Sequence, residues 1–334
     1  MGLIKIKVPL LSLLLSAGVF LSLGLFLNRK PIHSIVSEKI IQNFSPTIET
    51  FRKKDGRLIE PLLMFDVGSE PASLSPLKSI IEQYIQRKET AGDIKIASVY
   101  FRDLNSSKSF SINPSEQYMP ASIMKLPILI TYLKEAETHP GLLQQKIFFG
   151  KHFAVIPEQT MTNNYLQENR NFTVDELLQS MIINSDNDAT ALLNQNINLN
   201  SFKVLFRILS LAEPDIKQWN YNLTVAECSR FLQLLFNSTY LNEKNSEYAV
   251  RLLTQTNYKE GFVKLIDPEL TIAHKFGERN VANEQQLHET GIFYLDDKPY
   301  LLTVMTKGND RKLLPVILAD ISQITLTYLK GKGV

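Results

Sequence analysis

A serine and a lysine three residues apart, Ser122-Ile-Met-Lys125, lie within Met119-Pro-Ala-Ser-Ile-Met-Lys-Leu-Pro127 and open a strongly apolar run. On a helix such residues share a face with Cβ atoms about 5–6 Å apart, so the amine is placed to take the hydroxyl proton and make a nucleophile. A helix start adds unpaired backbone N–H groups and partial positive charge, which favour an alkoxide and lower the lysine's proton affinity. Spacing alone decides nothing: Ser75-Pro-Leu-Lys78 has it too and reads as the opening of a surface helix. A helix cap followed by a solvated lysine is the better account of Ser122 and Lys125 when they are taken alone.

Two further short patterns follow in order. Ser185-Asp186-Asn187 occurs once, in a turn between helices, and by itself reads as an Asx turn capping a helix from Asp188. Lys275-Phe276-Gly277 ends a strand-like run, whereas Lys54-Asp-Gly56 and Lys259-Glu-Gly261 share only the lettering.

The elements that must position these residues are legible from periodicity. Leu77, Ile80, Ile81, Tyr84 and Ile85 predict a first helix after Ser75-Pro76. Lys95 to Phe101 and Lys108 to Ile112 alternate as a hairpin about Asp103 to Ser107, and the Ser122 helix then runs to about Glu137. From His139 to about Pro268 the reading is mostly helical, with loops from Gly150 to Asn171, a capping box at Thr173 to Glu176, and a helix from Ala226 to Phe236. Alternation returns at Leu270 to Lys275, Leu287 to Leu295 and Tyr300 to Thr306, and a last helix spans about Leu313 to Leu329. Strands early and late with helices between predict an α/β (α+β) fold: one antiparallel five-stranded sheet drawn from both chain ends, flanking helices, and an inserted all-helical subdomain.

Composition removes several function classes. The 334 residues carry a net charge of +2 from 36 basic and 34 acidic side chains, with no basic block interleaved with aromatics, so no nucleic-acid partner is expected. The single cysteine, Cys228, allows no internal disulfide and reads as a core thiol; the five histidines show no ligand spacing, so neither metal nor cofactor is expected. Residues Val8 to Leu27 are uncharged and almost wholly apolar, long enough to cross about 30 Å of hydrocarbon. They predict a transmembrane anchor rather than a cleaved signal, with residues 1–7 a cytoplasmic tip, 28–74 a stalk, and 75–334 a monomeric body outside the cytoplasm, at the cell surface or in the periplasm. The patch Leu62-Leu63-Met64-Phe65 is placed to dock on that body.

In order, spacing and element type, the three patterns resemble the S-x-x-K, S-D-N and K-T-G of class A β-lactamases and penicillin-binding proteins, over roughly residues 75 to 334. The resemblance implies that Ser122 attacks an amide or lactam carbonyl with Lys125 as base. Oxyanion donors would be the backbone N–H groups of Ser122 and, by position after Gly277, Glu278. Ser185 would relay a proton to the leaving nitrogen, Lys275 would hold that hydroxyl and attract a substrate carboxylate, and Asn187 would bind an acylamide carbonyl. Three departures stand out. Phe276 replaces the family's Thr or Ser, removing a hydroxyl contact to that carboxylate, for which Arg279 is a candidate replacement. Glu289 to Phe293 lacks the arginine many class A enzymes carry nearby. The Glu-x-x-Leu-Asn loop that positions the deacylating water has no clear counterpart: Glu213-Pro214-Asp215-Ile216 starts like it, but Lys217 fills the asparagine's place. The expectation is a serine hydrolase acylated by β-lactams or D-alanyl-D-alanine-type peptidoglycan peptides. A D,D-peptidase inhibited by β-lactams and a non-catalytic cell-wall or β-lactam sensor are the alternatives.

Overall fold

The computed structural model describes residues 51–52, 58–59, 62–64, 72–153, 165–214, 221–281 and 284–331. The body begins with α1 (Ser75–Thr90), which buries Leu77, Ile81, Tyr84 and Ile85, the stripe its periodicity marks, and carries Pro in its first turn and Arg87 and Lys88 in its last. Next come β1 (Ile96–Asp103) and β2 (Ser109–Ile112), paired antiparallel with Val99 opposite Ile112. Their turn is shaped by Asp103, whose Oδ1 accepts from the backbone of Asn105 (2.9 Å) and Ser106 (3.1 Å).

The chain then leaves the sheet. A 3₁₀ turn, Ala121–Met124, leads into α2 (Lys125–Thr138), whose buried residues run without a break from Lys125 to Leu133. A ribbon of β3 (Lys146–Phe149) and β4 (Arg170–Thr173) precedes α3 (Val174–Ile183), α4 (Asn187–Asn196), α5 (Leu199–Ile208), α6 (Val225–Asn237) and α7 (Glu243–Thr254). Reciprocal capping boxes start α3 (Thr173 with Glu176) and α6 (Thr224 with Glu227), each cap worth about 1 kcal/mol. The chain returns as the meander β5 (Ile272–Val281), β6 (Glu284–Leu295) and β7 (Lys298–Gly308) and ends in α8 (Leu314–Leu329).

The five strands form one antiparallel sheet in the order β2-β1-β7-β6-β5, so both chain ends contribute and β5 lies at an edge. Side chains alternate faces along each strand. Ile272 and Phe276 of β5, and Leu302 and Val304 of β7, pack with α1 and α8. Ala273, Leu301 and Met305 join the larger core shared with the inserted helices. This alternation sends Lys275 and Gly277 toward the insert and Phe276 and Glu278 toward the other face.

Four expectations change. The insert is not all-helical: Phe149 and Phe172 are buried by the β3–β4 ribbon, which an alternating aromatic sequence supports as readily as a loop. Lys275-Phe276-Gly277 lies mid-strand, because β5 continues through residues of turn-like composition to Val281. Ser122 occupies a 3₁₀ turn and Lys125 begins the α-helix. Part of the stretch assigned to a stalk joins the body: Ile59 is fully buried in the larger core, its N–H donates to Glu247 Oε2 (3.2 Å), and Tyr294 donates to the Leu58 carbonyl. Leu62–Met64 pairs with Phe51–Arg52. The apolar run Val8 to Leu27 lies outside the described residues; among those described, no helix is long and apolar enough to cross a membrane.

Candidate active site

Ser122 is presented by a clamped segment. Tyr118 makes a two-way backbone bridge with Leu223, N–H to carbonyl at 3.0 and 2.9 Å, and its hydroxyl meets Ser98 Oγ at 2.8 Å. Next along, Met119 N–H donates to Gln286 Oε1 (3.2 Å), and its carbonyl lies 3.1 Å from His288 Nε2. His288 Nδ1 accepts from Thr306 N–H (3.2 Å), so Nε2 carries the proton and donates to Met119. Burial lowers the His288 pKa to about 3, which keeps the ring neutral and this tautomer fixed. Ala121 then takes a left-handed conformation, φ 51°, to turn the chain into the 3₁₀ segment. For a residue with a Cβ this costs about 1–2 kcal/mol.

The strand beyond packs directly on this turn. A methyl group at Gly277 would come to 2.3 Å from Pro120 O and 3.2 Å from the backbone nitrogens of Ser122 and Ile123. Glycine is therefore required by closeness of approach. The Ser122 N–H has no hydrogen-bond partner among the described residues, as an oxyanion donor requires. On β5 the carbonyl of His274 accepts from Thr256 Oγ1 (2.8 Å) and that of Phe276 from Lys275 Nζ (3.2 Å), both outside the sheet ladder. Even-numbered residues thus turn their backbone groups to the open edge, and the two-residue repeat aims the Glu278 N–H the same way.

Ser185 follows α3 with φ 56°, a second left-handed non-glycine residue at the site. It receives both lysines. Lys125 Nζ donates to the Ser185 carbonyl (2.5 Å), to Asn187 Oδ1 (2.8 Å) and toward Ser185 Oγ (3.1 Å), while Lys275 Nζ reaches the same Oγ at 2.9 Å. Lys125 is 3% exposed and Lys275 not at all. Burial pulls Lys125 down to about 7, partly opposed by Asp186. Burial, and then the charge of Lys125, hold Lys275 well below an ordinary lysine. Asp186 supports the turn: Oδ1 caps α4 at Asp188 N (2.9 Å) and Ala189 N (3.2 Å), and Oδ2 accepts from Ser180 (2.7 Å).

Ser122, Lys125, Ser185, Asn187, Lys275, Gly277 and Glu278 therefore come together. No hydrogen bond joins Ser122 Oγ to any described group; the described bonds of Lys125 Nζ go to Ser185 and Asn187. Arg279 shares a face with Lys275 and Gly277 but lies four residues beyond Lys275, about 13 Å along the strand and past the Ser122 turn from Ser185. Glu213 is not brought in: its carboxylate pairs with Arg207 (3.1 Å) and Lys203 (3.8 Å) of α5 at the surface. The clamp through His288 and Gln286 had no sequence signal, since both lie in a stretch, Glu284 to Thr290, where only Leu287 is apolar. Among the described residues, no three His, Cys, Asp or Glu side chains converge as a metal would require.

No curated protein matches the chain. Solved structures do match. PBP-A aligns with TM-score 0.66 at 18% identity over 77% of this chain and 97% of its own. The TLA-1 extended-spectrum β-lactamase gives 0.65 and 18% over 76% and 98%. A β-lactamase from Chitinophaga pinensis gives 0.64 and 14% over 75% and 99%. At these identities the likeness is one of fold. Residues 76–329, which span the sheet, the insert and every residue of the site, match the family described as the beta-lactamase enzyme family, and the chain belongs to it.

Proposed function

We propose that this protein is a serine acyl hydrolase that forms a covalent ester on Ser122. The carrying observation is the convergence of two buried lysines on one serine hydroxyl beside an oxyanion donor, with Lys125 lowered to about 7 and therefore able to accept a proton near neutrality. In acylation, Ser122 Oγ bonds to the substrate carbonyl carbon while its proton passes to neutral Lys125. Negative charge on the carbonyl oxygen faces the N–H groups of Ser122 and Glu278. Collapse breaks the bond to the leaving atom, which takes a proton from Ser185; Lys125 returns one to Ser185, and water later releases the acid. Strained lactams and amides are the substrate classes in view, and one relative, a PBP-A variant, was captured as an acyl-enzyme with penicillin G. The apolar run at Val8 to Leu27 supports placing the site outside the cytoplasm on a membrane anchor.

Intact-mass spectrometry after treatment with a fluorophosphonate, which reacts with activated serines, tests the assignment. One adduct on Ser122 is expected, lost in Ser122→Ala and retained in Ser75→Ala. Undiminished labelling of a folded Ser122→Ala protein would remove the nucleophile.

A further inference from the structure

Beside the nucleophile, the side of the site that receives the leaving group is built unlike a carboxylate pocket. Ser185, which protonates the leaving atom, is backed by Lys275, and Lys275 Nζ lies 4.4 Å from the centre of the Phe276 ring. Lysine and phenylalanine start on opposite faces of β5 and meet around its open edge. The ring is itself stacked on Tyr258, centroids 4.1 Å apart and 18° from parallel. Phe276 is 5% exposed, Tyr258 6% and Lys275 0%. Lys275 Nζ is thus fully buried with the Phe276 ring against it and Tyr258 stacked on that ring, where a hydroxyl would otherwise stand.

The charges around the stack point the same way. Glu278 follows Phe276 on the same face, and its carboxylate, held by Asn280 (3.0 Å), raises the Tyr258 hydroxyl pKa after the larger effects of burial and of Glu289. Glu289 lies beneath, accepting from Phe262 N–H (2.8 Å) and meeting His274 Nδ1 at 2.6 Å. A substrate carboxylate here would meet the Phe276 ring in place of a hydroxyl, with Lys275 fully buried against that ring and carboxylates on the ring's own face of the strand. Arg279 lies past the Ser122 turn, toward the acyl side, and does not restore the contact.

We propose that the leaving-group side of this site selects acyl donors that carry no carboxylate there, neutral esters or amides, and that Phe276, stacked on Tyr258, is the residue that sets this preference. The proposal rests on the Ser122 acyl-enzyme reading and adds its substrate class. Like charge near a binding group is strongly disfavoured, and a charged hydrogen bond that cannot form forfeits about 10- to 100-fold in rate.

The test compares benzylpenicillin with its methyl ester, which differ only in the leaving-side carboxylate. Acylation rate constants on the full chain are each normalised to the compound's own rate with hydroxide. Ester acylation at least about 10-fold faster than acid is expected for the wild-type protein. Phe276→Thr, which uncovers Lys275 and supplies a hydroxyl, should move the ratio toward the acid by about 10-fold. A wild-type protein that prefers the acid overturns the proposal, and so does a folded Phe276→Thr protein with an unchanged ratio. Should that variant fail to fold, the wild-type ratio decides alone. Fluorophosphonate labelling of Ser122 with neither penicillin reacting also overturns it, since a neutral donor is then refused. Absent fluorophosphonate labelling removes the Ser122 reading itself, and the substrate class falls with it.

Discussion

Lys125→Met should raise stability near neutral pH while abolishing acylation, and the size of the gain can be worked from the site. Between an ordinary lysine near 10.5 and the buried Lys125 at about 7 lie three and a half decades of proton affinity, at most about 5 kcal/mol. The lowered value means that between pH 7 and 10.5 the unfolded chain holds more protons than the folded one. Stability therefore rises with pH through that window, and the cost is fully present below 7. Methionine removes the cost but strands the Ser185 carbonyl and Asn187 Oδ1, which is worth about 1–3 kcal/mol against the variant. The variant should be more stable by roughly 2–3 kcal/mol at pH 6.5 and lose that advantage by about pH 9, where the cost of holding Lys125 neutral has fallen to about 2 kcal/mol and the stranded acceptors offset it. Lys275 titrates with the same sign and is relieved when Lys125 goes, which flattens the variant's profile further. Urea denaturation at pH 6.5, 7, 8 and 9 measures the difference. A gap between the two proteins that does not change across this range would refute the depressed lysine. In the same wild-type protein, acylation should fall about tenfold per pH step below 7 and level off above it, because only the neutral amine can take the serine proton.

Two further substitutions probe the clamp around Ser122. Gly277→Ala brings a methyl against Pro120 O and must push β5 and the nucleophile turn apart; a loss of about 1–3 kcal/mol in urea denaturation and about 100-fold in Ser122 acylation is expected. Ala121→Gly removes the Cβ from a left-handed residue and should stabilise the fold by about 0.5–1 kcal/mol while slowing acylation through a looser turn; faster acylation would contradict a role for that strain in holding Ser122.

Much of this site is written in the sequence because its residues break a pattern. Lys125 stands inside a run that is otherwise apolar from Ile123 to Ile130, and a lysine there must have a use or a partner. Ser185-Asp186-Asn187 interrupts two helices with side chains that cap. The sheet was legible from alternation, since one-sided burial imposes a period of two on every strand. The rest depends on tertiary contact. The 3₁₀ form of the Ser122 turn follows from the packing of Gly277 on Pro120, which no local preference encodes. The continuation of β5 through Gly277, Glu278 and Asn280 is enforced by pairing with Gln285 to His288, overriding weak strand propensity. Histidine 288 looked like any lone histidine until its two ring nitrogens found Met119 and Thr306. The same holds for Phe276: its replacement of a hydroxyl was visible, but only the Tyr258 stack shows that the ring covers Lys275.

Hydrolysis of the acyl-enzyme needs a base aimed at water, and the described carboxylates around the site are already committed. Asp186 caps α4 and holds Ser180. Asp188 binds His152 Nδ1 (2.6 Å) and Phe153 N–H (2.9 Å), and Glu289 binds His274 and the Phe262 backbone. Glu213, the one acid whose sequence context suggested the role, faces Arg207 and Lys203 instead. Lack of a positioned base costs about 10²–10⁴-fold, so an adduct that forms readily should leave slowly, with Lys125 the remaining group able to take a proton from water. Glu213→Gln should accordingly leave deacylation unchanged within about twofold, since it alters only an exposed ion pair. Adduct decay followed by intact mass measures this directly. Decay arrested by Glu213→Gln would mean that the acid leaves α5 to reach Ser122 once the ester has formed, and the resting arrangement would then be a poor guide to the second half of the reaction.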